Sequence, residues 1–223
     1  MKLFLDTANV AWIREMHDLG VILGATTNPT LIAKEGKEFY TTIREIVEIF
    51  DDEPEACIFG EVISLEADKM VEEAKALAAI SDKIVVKIPM CPQGMKAVRQ
   101  LSKLGIRTAV TLVFSAAQAL VCAAAGATMI APFVGRLDDI GVDGIQVVQE
   151  ICALYQRQNI QTKVLCASLK QPNHVLKAAI AGTDYATIPY PVLKQCMAHP
   201  LSTEGIELFL QDWDKLQNSL KQA

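Results

Sequence analysis

The chain has 223 residues, of which 51% are hydrophobic and 21% charged, which is ample for one large core under a normally charged surface. No stretch approaches the roughly 18 uninterrupted apolar residues of a membrane helix, and MKLFLD reaches an acidic residue before any signal-peptide core forms, so no membrane partner is expected and the expected location is the cytoplasm. A net charge of −5 without a Lys/Arg cluster carries no electrostatic footprint for nucleic acid.

Short apolar runs alternate with amphipathic stretches along the whole chain. The runs are KLFLD (2–6), VILGAT (21–26), CIFGEV (57–62), KIVVKI (83–88), RTAVTLV (107–113), TMIAPFV (128–134), KVLCAS (163–168) and YATIP (185–189). Between them the spacing predicts helices: Met70, Ala74 and Leu77 share one helical face, and Ile145, Val148, Ile151, Cys152 and Tyr155 share another. Strand and helix repeated eight times predict a parallel sheet closed into a (β/α)8 TIM barrel, one domain over residues 1–223. The open doubly wound sheet is the alternative. Against it, the first strand runs into DTANV, with no GxGxxG phosphate loop.

The chain continues past the eighth unit. In HPLSTEGIELFLQDWDKLQNSL, residues Ile206, Phe209, Leu210, Trp213, Leu216 and Leu220 fall on one helical stripe, so an extra C-terminal helix is expected over 202–220, with Ser202 as N-cap and Glu204 in the first turn. That stripe must be buried somewhere, either back across its own barrel or on a neighbouring subunit of a homo-oligomer.

The six cysteines are widely spaced, with no CxxC pair and no histidine at zinc spacing, and they read as reduced thiols. Cys57, Cys122, Cys152 and Cys166 sit in apolar runs as small hydrophobes, which leaves Cys91 as the one expected to be exposed. His17, His174 and His199 are far apart in sequence and outside any ligand motif, so neither a metal nor another cofactor is expected.

Barrel active sites lie at the C-terminal ends of the strands, where this sequence offers Asp6, Thr26 to Asn28, Glu61, Lys87, Thr111, Arg136 and Ser168. Lys87 stands out because KIVVKIP sets a lysine in a β-branched run. Burial disfavours the ammonium, and the resulting neutral amine is a nucleophile toward carbonyls. A lysine snorkelling to solvent is the competing reading. Asp6 and Glu61 end the first and third strands, where they would serve as proton carriers, as counter-ions to Lys87 or as helix caps. Pro29 biases Asn28 toward an extended backbone that aims its amide at a substrate, although TTNP serves equally well as a helix-opening turn. Arg136 suits a phosphate or a surface salt bridge, and Ser168 with Lys170 follows the seventh strand, where barrels often hold phosphate.

Taken together, FLDTAN, GATTNPTLIAKEG, VVKIP, TLVFSAAQA, APFVGRLDDIG and ATIPYPVL resemble the transaldolase family, in particular its short branch of small transaldolases and fructose-6-phosphate aldolases. The resemblance covers essentially the whole chain. It implies that Lys87 is the Schiff-base lysine, Asp6 the acid/base for C–C cleavage and Asn28, on the Thr26 to Asn28 turn, a partner of the dihydroxyacetone part. It further implies that Glu61 and Thr111 hold a proton-shuttling water and that Arg136 and Ser168 bind the phosphate of a sugar-phosphate substrate, with Lys170 close by. The family's aldolases carry Gln and Tyr where this chain has Glu61 and Phe133, so both choices resemble transaldolases. Two positions depart from the family pattern: Ala109 stands where Asn is usual, and Lys170 where Arg is usual. The implied activity is dihydroxyacetone transfer between ketose and aldose phosphates. The alternatives are aldol cleavage with release of free dihydroxyacetone and transfer from another acidic, for instance sulfonated, ketose. The resemblance also implies rings of five subunits that pair into decamers by exchanging the C-terminal helix.

Overall fold

Each apolar run becomes a strand, and most strands turn into a helix at a capping side chain (Asn9, Asn28, Cys91, Ser115) or a proline (Pro172, Pro191). The computed structural model describes residues 1–222; Ala223, the last residue of the expected single domain, lies outside them. The order is β1 (Lys2–Asp6), α1 (Val10–Asp18), β2 (Gly24–Thr26), α2 (Pro29–Glu35), α3 (Phe39–Ile49), β3 (Cys57–Glu61), α4 (Ala67–Ala78), β4 (Ile84–Pro89) and α5 (Pro92–Lys103). It continues with β5 (Thr108–Val113), α6 (Ala116–Ala125), β6 (Met129–Pro132), α7 (Val134–Asp138), α8 (Gly144–Arg157), β7 (Lys163–Cys166), α9 (Pro172–Ala181), β8 (Tyr185–Ile188), α10 (Tyr190–Met197) and α11 (Pro200–Gln222). All strand pairs are parallel, and β8 pairs with β1 to close the barrel in sequence order. This is a (β/α)8 TIM barrel with an extra C-terminal helix.

The two-residue period of the strands sorts their side chains. On β4, Ile84, Val86 and Ile88 point outward into the shell between strands and helices, while Val85 fills the barrel interior with Phe4, Phe59, Ala109, Met129 and Leu165. The helices bury the faces the sequence indicated: Met70, Ala74 and Leu77 of α4, and Ile145, Val148, Ile151 and Tyr155 of α8, with Tyr155 donating its hydroxyl proton to the Ala119 carbonyl at 2.7 Å.

Several expectations change in detail. The second run contributes only the three residues of β2, because Gly24, at φ 149°, begins the pairing against Cys57 with no room for a side chain: a Cβ there would lie 2.0 Å from the Cys57 carbonyl oxygen. Cys91 is half-buried, since its sulfur accepts from the Gly94 N–H and caps α5, and Cys196 is the exposed thiol. Cys57, Cys122 and Cys166 are buried and Cys152 half-buried; burial pushes Cys122 and Cys166 up to about 12, so they pack as inert hydrophobes. Ser202 is not an N-cap. The helix opens two residues earlier, at Pro200, where the missing N–H of proline is no loss.

The C-terminal helix does not fold back across its own barrel. Ile206, Phe209, Leu210, Trp213, Leu216 and Leu220 are all exposed, Phe209 to 74% and Trp213 to 59%. No described helix is long and apolar enough to cross a membrane.

Candidate active site

Inward-facing residues at the C-terminal ends of the strands stand above the apolar interior and line its mouth. On β4 the residue two beyond Val85 is Lys87, which is only 6% exposed. It does not snorkel. Its Nζ lies 2.9 Å from Oε2 of Glu61, the residue paired with it across β3 and β4, and donates to the Thr27 carbonyl at 2.9 Å. A buried ammonium is tolerable only with such partners.

Two adjoining cavities meet over Lys87, and Asn28, Phe133 and Arg136 line both. The larger, about 390 Å³, is bounded by Glu61, Thr111, Leu112 and the turn from Pro29 to Leu31. The smaller, about 190 Å³, is bounded by Asp6, Thr26, Ser168 and Thr187. A wider apolar groove of about 700 Å³ lies away from the mouth, lined by α6 residues and the segments leading into β6 and β7. It contains none of the titratable groups gathered here.

Asn28 opens the helix and also lines both cavities. Its backbone is extended, at φ −156° and ψ 167°, and its Oδ1 accepts from the Leu31 N–H at 3.0 Å to cap α2. The cap occupies Oδ1 and leaves the NH2 group as a donor.

Asp6 is reached through Thr26. The Thr26 hydroxyl donates to Oδ1 of Asp6 at 2.8 Å, and having only one proton it must accept from Thr187, 2.6 Å away. Thr187 is a site residue that the sequence reading passed over. The period of β8 signals it, because Tyr185 turns inward and Thr187 follows two residues later. Leu112 was also missed. A register irregularity between Val110 and Val113, with Leu112 at φ 60°, sets both Thr111 and Leu112 on the larger cavity. Nothing in TLVF marks that bulge.

Arg136 rides on α7 and spreads over the Phe133 ring, 6.0 Å from its centroid. No carboxylate is ion-paired with it among the described residues, so the salt-bridge alternative is not realised. Ser168, at φ 59°, faces the smaller cavity. Lys170 lines neither cavity and is ion-paired with Asp139 on the surface. Ala109 is fully buried beside Lys87 as its register partner on β5, and it offers no polar atom there.

The transaldolase/fructose-6-phosphate aldolase family matches residues 3–220, and with the barrel and the residues at its mouth this defines an enzyme of the aldolase/transaldolase type. The chain belongs to that family. It is 52% identical over 218 residues to a probable transaldolase of Exiguobacterium sp., covering 98% of this chain and all of the relative. It is equally 52% identical over 216 residues to a probable transaldolase of Clostridium kluyveri, covering 97% of this chain and 99% of the relative. Among solved structures, the thiamine phosphate pyrophosphorylase from Pyrococcus furiosus superposes with a TM-score of 0.58 at 16% identity, over 84% of this chain and 85% of that one, a likeness of fold alone.

Burial pushes the Asp6 carboxyl above its ordinary value of 3.8, with the nearby Lys87 charge and the Thr26 hydroxyl pulling it partly back. The folded state therefore disfavours ionised Asp6. That cost is absent below pH 3.8, where folded and unfolded chains both carry the proton, and fully present above the raised folded-state value. Asp6→Asn keeps the shape and removes the charge, so at pH 8 its Tm should exceed that of the wild type, by about 2–4 °C for each 1 kcal/mol relieved. The difference should shrink as the pH falls through the raised folded-state value toward 3.8. A calorimetric pH series with a constant difference would rule out this account.

Proposed function

We propose that the enzyme transfers a dihydroxyacetone unit between ketose and aldose phosphates in the cytoplasm, with fructose 6-phosphate and sedoheptulose 7-phosphate as donors, through a Schiff base on Lys87. The observation that carries this reading is a buried lysine, paired with Glu61, at the meeting point of two cavities whose polar lining includes Asp6, Thr26, Asn28, Thr111, Arg136, Ser168 and Thr187.

In the reaction, Lys87 gives a proton to Glu61, directly or through a water held by Glu61 and the Thr111 hydroxyl, and the neutral amine adds to the ketose C2 carbonyl. The same groups return protons as the carbinolamine loses water to form the protonated imine. Asp6, ionised, takes the proton of the C4 hydroxyl. The C3–C4 bond then breaks, its electron pair moves into the imine to give an enamine, and the aldose phosphate leaves. An acceptor aldehyde reverses the sequence: enamine C3 attacks its carbonyl carbon, Asp6 returns its proton to the new hydroxyl, and water releases the product ketose from Lys87. The carboxyl that shuttles this proton benefits from a raised affinity for it, which is what burial gives Asp6. Arg136, with no ion pair among the described residues, and Ser168 take the phosphate, while the NH2 of Asn28 binds a hydroxyl of the dihydroxyacetone part.

Borohydride added with fructose 6-phosphate should fix a three-carbon unit on Lys87, and Lys87→Ala should abolish it. Peptide mapping of the adduct to another lysine would refute the assignment.

Phe133 favours transfer over free aldol cleavage. It lines both cavities and has no hydroxyl to order a water against the enamine, so the intermediate persists until an aldehyde arrives. Phe133→Tyr should therefore raise dihydroxyacetone release relative to transfer several-fold in an assay run with and without acceptor, and an unchanged ratio would remove Phe133 from this role.

The exposed stripe of α11 packs on a neighbouring subunit in this reading, in pentamers that pair into decamers, because so large an apolar face left in water is an association surface. Deleting residues 200–223 should lower the mass measured by light scattering while circular dichroism still reports a folded barrel. A full-length chain that is monomeric at micromolar concentration would overturn this assembly.

A further inference from the structure

Arg136 and Ser168 are carried on the least regular parts of the barrel mouth. Arg136 sits on α7, a helix of five residues. Ser168 holds a left-handed backbone that a non-glycine residue keeps only when its surroundings enforce it. The two segments are joined on the mouth side by main-chain bonds, in which the Val134 N–H donates to the Ala167 carbonyl at 3.0 Å and the Gly135 N–H to the Ser168 carbonyl at 2.9 Å. Position 135 must be glycine for this approach, since a Cβ would stand 2.4 Å from that Ser168 oxygen.

On the far side one buried side chain bridges the same two segments. His174, in the first turn of α9 and 7% exposed, accepts the Lys170 N–H on Nδ1 at 3.3 Å. A neutral ring that accepts on Nδ1 carries its proton on Nε2. That nitrogen lies 3.3 Å from Oδ2 of Asp138, the last residue of α7, and 2.8 Å from the side-chain amide nitrogen of Gln171, whose amide must turn over to present Oε1 to this N–H. The other oxygen of Asp138 accepts the Gly144 N–H at 3.0 Å and anchors α7 to the start of α8. His174 thus holds the loop that leaves strained Ser168 and, through Asp138, the helix that carries Arg136.

We propose that His174 is a positioning residue of the anion clamp: by tying Lys170 N–H to Asp138 it sets the placement of Arg136 against Ser168, and with it the affinity for the phosphate end of the substrate. The proposal rests on the assignment of Arg136 and Ser168 to phosphate. His174 lines neither of the two site cavities, so its loss should act on binding and leave the reacting atoms at Lys87 in place.

The test is transfer kinetics from fructose 6-phosphate, with inorganic phosphate as competing ligand, in the wild type and in His174→Ala, His174→Asn, Asp138→Asn and Arg136→Ala. Asp138→Asn keeps an oxygen for the Gly144 N–H while turning a donor toward His174, so it decides the matter even if His174→Ala does not fold. His174→Ala and Asp138→Asn should each raise KM and the phosphate inhibition constant together, by about tenfold, with kcat changed by less than about twofold, the scale of one loosened charge-assisted hydrogen bond. His174→Asn, whose Oδ1 can again accept the Lys170 N–H, should recover part of the loss. If Arg136→Ala weakens phosphate while the His174 and Asp138 variants change only Tm, or lower kcat without moving KM, the inference about His174 is overturned and the phosphate site stands. If Arg136→Ala also leaves the phosphate inhibition constant unchanged, the phosphate assignment falls and takes the inference with it.

Discussion

Closure of the barrel is the constraint from which the rest of this structure follows. Eight parallel strands that meet edge to edge leave no open hydrogen-bonding edge, and they divide every strand into residues that face the interior and residues that face the helices. The interior is filled by Phe4, Phe59, Val85, Met129 and Leu165, so a polar side chain has room only one step higher, at the mouth. Asp6, Glu61, Lys87, Thr111 and Thr187 each lie two residues beyond an interior-facing neighbour on their own strands. The chemistry of the site is the top layer of the same alternation that packs the core.

A charged lysine in that layer needs compensation, and the β3–β4 register supplies it by setting Glu61 directly against Lys87. Asp6 is held differently, at the end of a hydroxyl chain through Thr26 and Thr187 and beyond ion-pairing distance of Lys87. One carboxylate is stabilised by a cation in contact with it; the other pays for its burial with a raised proton affinity. In the proposed reaction these environments correspond to two tasks: proton exchange at the amine on one side, and proton transfer to and from the sugar hydroxyl on the other.

Two of the three non-glycine residues at positive φ among the described residues lie at this mouth, the third being Asn159 after α8. Leu112 and Ser168 both adopt positive φ, and both border the cavities. The Leu112 bulge brings two consecutive residues of β5 to the mouth. The turn at Ser168 is held by Gly135 on one side and by His174 and Asp138 on the other. Such strain of about 1–3 kcal/mol per residue persists only where neighbours enforce it.

Sequence alone determined the eight strands and their alternation with helices, favoured the closed parallel sheet over an open one and set Lys87 at a strand end, because these depend on hydrophobic period and on chain-local turn chemistry; the β8–β1 pairing and the burial of Lys87 were decided by the tertiary structure. The family resemblance and its motifs were likewise legible, as was the amphipathic C-terminal helix. Tertiary structure decided what depends on partners distant in the chain. Only the β3–β4 register gave Lys87 its partner Glu61, and only the fold leaves Arg136 without an ion pair among the described residues while Asp139 pairs with Lys170. His174 looked like an isolated histidine because its partner Asp138 lies 36 residues away in sequence, at the end of a helix too short for any periodic signal. The Leu112 bulge stayed hidden because leucine carries no preference for positive φ, so that conformation is imposed by the surrounding sheet rather than encoded by the residue.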